Sequence, residues 1–461
     1  MMDKKLAVPG TLLFLDQVVI SAGSWAFWLV ISRITSSSQI GLAITVYTLV
    51  LIISLVSQLG LEYTLVKKLS VQRSNVLGTT LIMELLLSIG LVPVLFYAIS
   101  YLHEGSLTQF HWISILILFI SSLAFVSRLA LLGVSDARSV LIIDSVSIGI
   151  RFATGFVLVS YGYEASGILI SLVLQSLVVS CAALYVGRKA FDFKINMKYA
   201  MEIMKDALIN TPTKLSRMFI ITICVVLLAF LGLSSSDVGV FYIALMISIA
   251  AGSFASSIAF MAIPASSSTN DDNLSVDSLR IGLSLTAPII VALILTPGAI
   301  LSLIGPEYQS AETVLRVLSI GILPSIVVLN TISRFNILSQ SKKILWIGIT
   351  QITSFLISFF LLVPSYGMLG GAFAILIAFL CSFVLSVIWS KKIMIRIIAS
   401  SCASIAISWG FGYILQLVFA SINPIWIIMS GMVLALVITV AFGNLSRTEM
   451  QRLLGALVKR G

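Results

Sequence analysis

The chain is poor in charge. Only 10% of its 461 residues are Asp, Glu, Lys or Arg, whereas a soluble protein of this size carries roughly a quarter. That excludes a water-exposed globular fold for most of the sequence. It has two histidines, and its four cysteines (Cys181, Cys224, Cys381 and Cys402) show no paired spacing. A metal centre and a disulfide framework are therefore excluded as organising features. There is no glycine-lysine phosphate loop, so ATP is not an expected ligand. No nucleophile–base arrangement points to covalent chemistry either. The expectation is a protein that is not an enzyme and holds no cofactor or metal. Its net charge of +10 is scattered over short loops, which argues against nucleic acid and for anionic lipid headgroups as the partner.

What the chain has is apolar sequence, 59% hydrophobic by composition. Runs of about 20 apolar residues recur from end to end, the length that crosses a hydrocarbon core of ~30 Å. They do not alternate, so helices are expected rather than a barrel. About fourteen transmembrane helices are predicted, at 10–31, 40–61, 75–101, 110–132, 138–161, 164–187, 210–232, 237–262, 280–304, 311–335, 343–364, 368–390, 393–418 and 424–443. With a cytoplasmic N-terminus, 25 of the 28 Lys and Arg residues fall on the inner side. This asymmetry predicts both termini inside, the 266–277 loop cytoplasmic and Tyr308 on the outer side.

The sequence also repeats. Ser36–Gly41, reading SSSQIG, returns as Ser234–Gly239, reading SSSDVG, at an offset of 198 residues. Ser127-Arg128 returns as Ser333-Arg334, and Ser160-Tyr161-Gly162 as Ser365-Tyr366-Gly367, at offsets of 206 and 205. An offset near 200 spans six helices, an even number, so the halves cross the membrane in the same sense. The expected organisation is an N-terminal six-helix lobe over 1–187, a cytoplasmic linker over 188–209, and a C-terminal six-helix lobe over 210–390. Two additional helices and a basic tail complete it over 391–461.

Several segments resemble a known family. Leu303-Ile304-Gly305-Pro306-Glu307-Tyr308, with Ala311 and Val314–Leu318, is similar to a passage of polysaccharide and oligosaccharide flippases, and so is Val363-Pro364-Ser365-Tyr366-Gly367-Met368-Leu369-Gly370-Gly371-Ala372. The chain thus resembles the O-antigen type flippases of the multidrug/oligosaccharidyl-lipid/polysaccharide exporter superfamily. The resemblance implies an all-α polytopic membrane protein, with two parallel-repeat six-helix lobes around a central cavity. It implies translocation of a polyprenyl-(pyro)phosphate-linked oligosaccharide across the plasma membrane by alternating access. A monomer is expected, with other polysaccharide-assembly proteins as candidate partners. The glycines of the second passage read as packing residues, serving a tight turn and close helix approach.

Function is then sought in ionisable groups that the membrane should exclude, each costing about 2.5–3.5 kcal/mol at a helix centre on insertion scales. Asp144 and Arg151 lie seven residues apart, on one helix face. Arg151 is a candidate for holding a phosphate oxygen pair through its planar fork; packing inside one lobe is the alternative. Lys214 and Arg217 share a face at i and i+3 and are candidates for receiving an anionic headgroup, or are simply inner-side charges. Arg316 is open between cavity and interface. Asp16 is the candidate for ion coupling, taking up Na+ or H+. Glu84 reads as a packing or snorkelling residue, and Arg128 and Arg334 as topological anchors. The competing readings are a multidrug-type cation antiporter of the same superfamily and a polytopic glycosyltransferase or polymerase. The first should present an acidic, aromatic pocket; the second should carry a large external loop, which is not found.

Overall fold

A computed structural model describes residues 4–58, 61–71, 76–102, 107–134, 136–188, 194–269, 273–338, 340–390, 392–418 and 424–441. The described chain is helical and has no strand. In order the helices are α1 (Lys4–Ile34), α2 (Ser37–Gln58), α3 (Leu61–Val71), α4 (Val76–Tyr101), α5 (His111–Gly133), α6 (Ala137–Leu158), α7 (Glu164–Gly187), α8 (Met197–Phe230) and α9 (Ser235–Thr269). They continue with α10 (Asn273–Leu295), α11 (Pro297–Ser302), α12 (Glu312–Ile320), α13 (Ile322–Ile337), α14 (Ser341–Tyr366), α15 (Met368–Ile388), α16 (Lys392–Val418) and α17 (Pro424–Ala441).

Eleven stretches are long and apolar enough to cross a membrane. One of them, Ala137–Gly187, holds two helices, α6 and α7, and two shorter apolar helices cover Ile220–Phe230 and Met429–Ala441. Together they match the fourteen expected segments one for one. This is a multi-pass membrane protein. Two elements differ from expectation. α3 is an additional helix where a loop was expected: its charges hide an apolar face made of Leu61, Leu65 and Leu69, buried against Val126, Leu129, Ala130 and Ile203. α8 begins at Met197, inside the expected linker. Its first turns dock on α3 through Lys68 Nζ, 2.5 Å from Glu202 Oε1 and 4.8 Å from the Tyr199 ring centroid.

The chain divides into two compact units, Met1–Ile243 with Phe355–Ile375, and Ala244–Ser354 with Leu376–Gly461. In the first, α6 packs against α1 and α7, and α5 against α4 and α7. The buried residues of α6 are Ala137, Val140, Ile143, Asp144, Ser147, Ile148, Arg151 and Gly155, the three-to-four spacing of one helix face. In the second unit α10 packs against α13, α16 and α17, with Val291, Leu295 and Ala435 buried together.

The repeat is visible in the backbone. The chain reverses after α6 at Gly162, with φ +86°, and after α14 at its equivalent Gly367, with φ +54°. Only glycine adopts this region at no steric cost. Farther along the same passage, a Cβ on Gly370 would lie 2.6 Å from the Leu362 carbonyl carbon and oxygen. Backbone meets backbone there, the packing role expected of these glycines. Tyr308 is fully buried beneath the turn that starts at Pro306.

Candidate functional site

Two charged stations lie along the contact between α1 and α6. The first holds Asp16 of α1, Asp144 of α6 and Arg128 of α5. Arg128 Nη2 donates to Asp16 Oδ2 at 2.7 Å, and Arg128 Nε donates to Asp144 Oδ2 at 2.6 Å. Asp16 and Asp144 are 2% and 4% exposed. Two buried carboxylates need a cation to offset the loss of water, and one guanidinium, with parallel donors on one edge, serves both. Asp16 Oδ1 stays buried without a hydrogen-bond partner. Asp144 therefore pairs with Arg128 and not with Arg151. Arg128 is no simple topological anchor; it ties three helices together. Arg334, its equivalent in the repeat, is buried, its Nη1 4.0 Å from Met394 Sδ.

The second station is Arg151, two turns along α6 from Asp144. It is 5% exposed, and its Nε is buried without a hydrogen-bond partner. Its guanidinium carbon lies 4.0 Å from the Phe27 ring centroid and 5.6 Å from that of Trp28. Tyr47 of α2 and Tyr242 of α9 are the tyrosines within electrostatic reach, and Trp28 meets Tyr242 edge-on at 5.0 Å. Among the described residues no carboxylate pairs with Arg151. Sequence reasoning found this arginine but not its aromatic neighbours, because Phe27, Trp28 and Tyr242 are unexceptional in apolar helices. A clue was present in Phe27-Trp28, which lies eleven and twelve residues beyond Asp16, three turns along one helix.

The other candidates have separate placements. Arg316 donates from Nη2 to Glu312 Oε1 at 2.9 Å and from Nε to the Ile294 carbonyl at 3.2 Å. It thereby caps an orphan carbonyl at the end of α10 while pairing one turn back along α12. Glu84 is buried and accepts a hydrogen bond from Ser57 Oγ at 2.7 Å, a packing contact between α4 and α2. Lys214 and Arg217 fall in α8, and their side chains lie outside the described residues. No group of three or more His, Cys, Asp or Glu that fits a metal ion occurs among the described residues.

The fold is shared with solved transporters. The chain is similar to lipid II flippase MurJ in an inward closed conformation, at 13% identity and a TM-score of 0.72, over 95% of this chain and 99% of that one. It is also similar to a multidrug resistance MATE family transporter of the MOP superfamily. The inward-facing form matches at 16% identity, TM-score 0.60 and coverage of 84% and 95%. The outward-facing form matches at 16%, 0.59, 87% and 99%. The all-α polytopic fold expected from the resemblance is the fold observed, and it is shared with these structures. No curated protein matches the chain by sequence. Residues 30–311, more than half of the chain, match the family described as polysaccharide biosynthesis protein, and the chain belongs to that family.

Proposed function

We propose that the protein is a flippase, not an enzyme, moving a polyprenyl-(pyro)phosphate-linked oligosaccharide across the plasma membrane by alternating access. Arg151 carries the reading. Each aromatic contact returns roughly 0.5–2 kcal/mol, while stripping water from an ion costs several kcal/mol. The difference is left for water or an anion to supply. A phosphoryl group offers charge and two oxygens in the geometry the guanidinium fork prefers. Family membership and a fold shared with a lipid II flippase support a phosphate-linked saccharide as that anion. The polyprenyl tail stays in lipid while the headgroup crosses. Asp16 and Asp144 serve coupling: with one guanidinium between two carboxylates, they accept a proton or Na+ as the cycle turns. The protein acts as a monomer, with both termini cytoplasmic.

The antiporter reading meets an obstacle. An aromatic enclosure suits an organic cation, but here Arg151 itself occupies it. The test is to deplete the protein in its host and follow lipid-linked oligosaccharide in each leaflet. Accumulation on the inner leaflet is expected. Unchanged leaflet distribution contradicts the proposal.

A further inference from the structure

Acids are missing from one long stretch of the chain. Between Glu312 and Glu449 the sequence contains no Asp or Glu, yet it carries eight Lys and Arg residues. The first unit answers its cations with carboxylates, Arg128 with Asp16 and Asp144, and Lys68 with Glu202. The second copy of the repeat does not. At the offset of 206, Arg334 takes the place of Arg128 and Thr350 that of Asp144.

Four helix ends of the second unit gather these cations. Phe335, near the end of α13, meets Trp389, just past α15, with ring centroids 6.0 Å apart. Lys343, in the first turn of α14, holds its Nζ 5.1 Å from the Phe335 centroid and 5.8 Å from that of Trp389. Arg334 Nη1 lies 4.0 Å from Sδ of Met394, in the first turn of α16. Val328, Ile332, Ile344 and Ile347 form the buried floor of this junction. Lys342, Lys392 and Arg396 are exposed, the last two on one face of α16 at i and i+4. Trp346, one turn beyond Lys343, is 60% exposed. Among the described residues no carboxylate pairs with Lys342, Lys343, Lys392 or Arg396.

We propose that this junction binds a phospholipid carrying two phosphate groups. Lys342 and Lys343 of α14 take one phosphate, and Lys392 and Arg396 of α16 take the other. The two pairs sit on different helices, so a headgroup with two phosphates spans them where a single phosphate does not. Trp346 lies at headgroup level, where indole rings partition, and the exposed Ile388 and Ile393 meet the acyl chains. An excess of Lys and Arg on one membrane side is general, but it does not require that acids be absent. Nor does it require Lys343 to rest on two rings, a contact that holds the cation without cancelling its charge. The missing countercharge is then supplied from outside the chain, as in basic pockets between transmembrane helices that hold anionic headgroups. The site stands apart from the function proposed above; in the orientation proposed there it faces the inner leaflet.

The test is native mass spectrometry of the full chain in detergent, titrated with diphosphatidylglycerol or with phosphatidylglycerol at equal phosphate. One diphosphatidylglycerol should bind about tenfold or more tightly than phosphatidylglycerol, and inorganic pyrophosphate should not displace it. Lys343→Gln with Lys392→Gln should weaken binding about tenfold or more, the scale of two lost cation–phosphate contacts. Lys392→Gln with Arg396→Gln leaves the ring contacts of Lys343 in place, and should show the same loss should the first variant fail to fold. Arg138→Gln with Lys205→Gln removes equal charge at exposed positions elsewhere and should leave binding unchanged. Equal binding of the two lipids, displacement by pyrophosphate, or junction variants that bind no more weakly than the Arg138/Lys205 control overturns the proposal.

Discussion

Arg128 and Asp16, 112 residues apart in the chain, meet with Nη2 2.7 Å from Oδ2. The same guanidinium holds Asp144 through Nε at 2.6 Å. Three helices thus share one cation. Removing Arg128 strands both acids. Arg128→Gln should destabilise the protein by roughly 2–4 kcal/mol, somewhat less than the 3–5 kcal/mol of a fully buried pair, because Arg128 keeps 30% of its side chain exposed. Adding Asp16→Asn and Asp144→Asn should recover much of the loss. Thermal unfolding in detergent measures both. An Arg128→Gln protein that unfolds with the wild type, or a triple variant less stable than it, contradicts the assignment.

Gly370 and Gly371 should respond differently to alanine. At Gly370 the new methyl would lie 2.6 Å from backbone atoms of Leu362, whereas at Gly371 it would lie 3.2 Å from the movable side chain of Leu228. Gly370→Ala should cost about 1–3 kcal/mol through forced separation of α14 and α15. Gly371→Ala should cost less. Equal unfolding temperatures for the two variants would show that the backbones there do not pack as described.

Topology is tested by single cysteines at exposed positions. Met201, in the first turns of α8, is 77% exposed, and Ser310, beside the buried Tyr308, is exposed. A membrane-impermeant maleimide should reach Met201→Cys only from the cytoplasmic side and Ser310→Cys only from outside. Tyr308→Cys should stay unlabelled in the folded protein. Labelling of both exposed positions from one side contradicts the orientation.

These residues show what the sequence made legible. Apolar run length placed all fourteen segments, because lipid leaves the backbone few options. The seven-residue spacing of Asp144 and Arg151 correctly put both on the buried face of α6. It could not tell that Asp144 would turn to Arg128, since that choice depends on how α5 and α6 lie together. α3 escaped notice because its charged residues mask three leucines on one face. Arg316 was ambiguous in sequence because a carbonyl partner such as Ile294 carries no side-chain signal. The repeat was legible as matched letters.

The account depends most on Arg151 serving an anion, and transport by its variants measures this directly. In reconstituted vesicles, with folding and insertion verified, Arg151→Ala should lower the rate of lipid-linked oligosaccharide translocation by about ten- to a hundredfold, the scale of losing a bidentate charged contact of about 1.5–3 kcal/mol. Arg151→Lys keeps the charge without the fork and should fall between alanine and wild type. A folded, inserted Arg151→Ala protein that translocates at the wild-type rate would make Arg151 a packing residue and contradict the account.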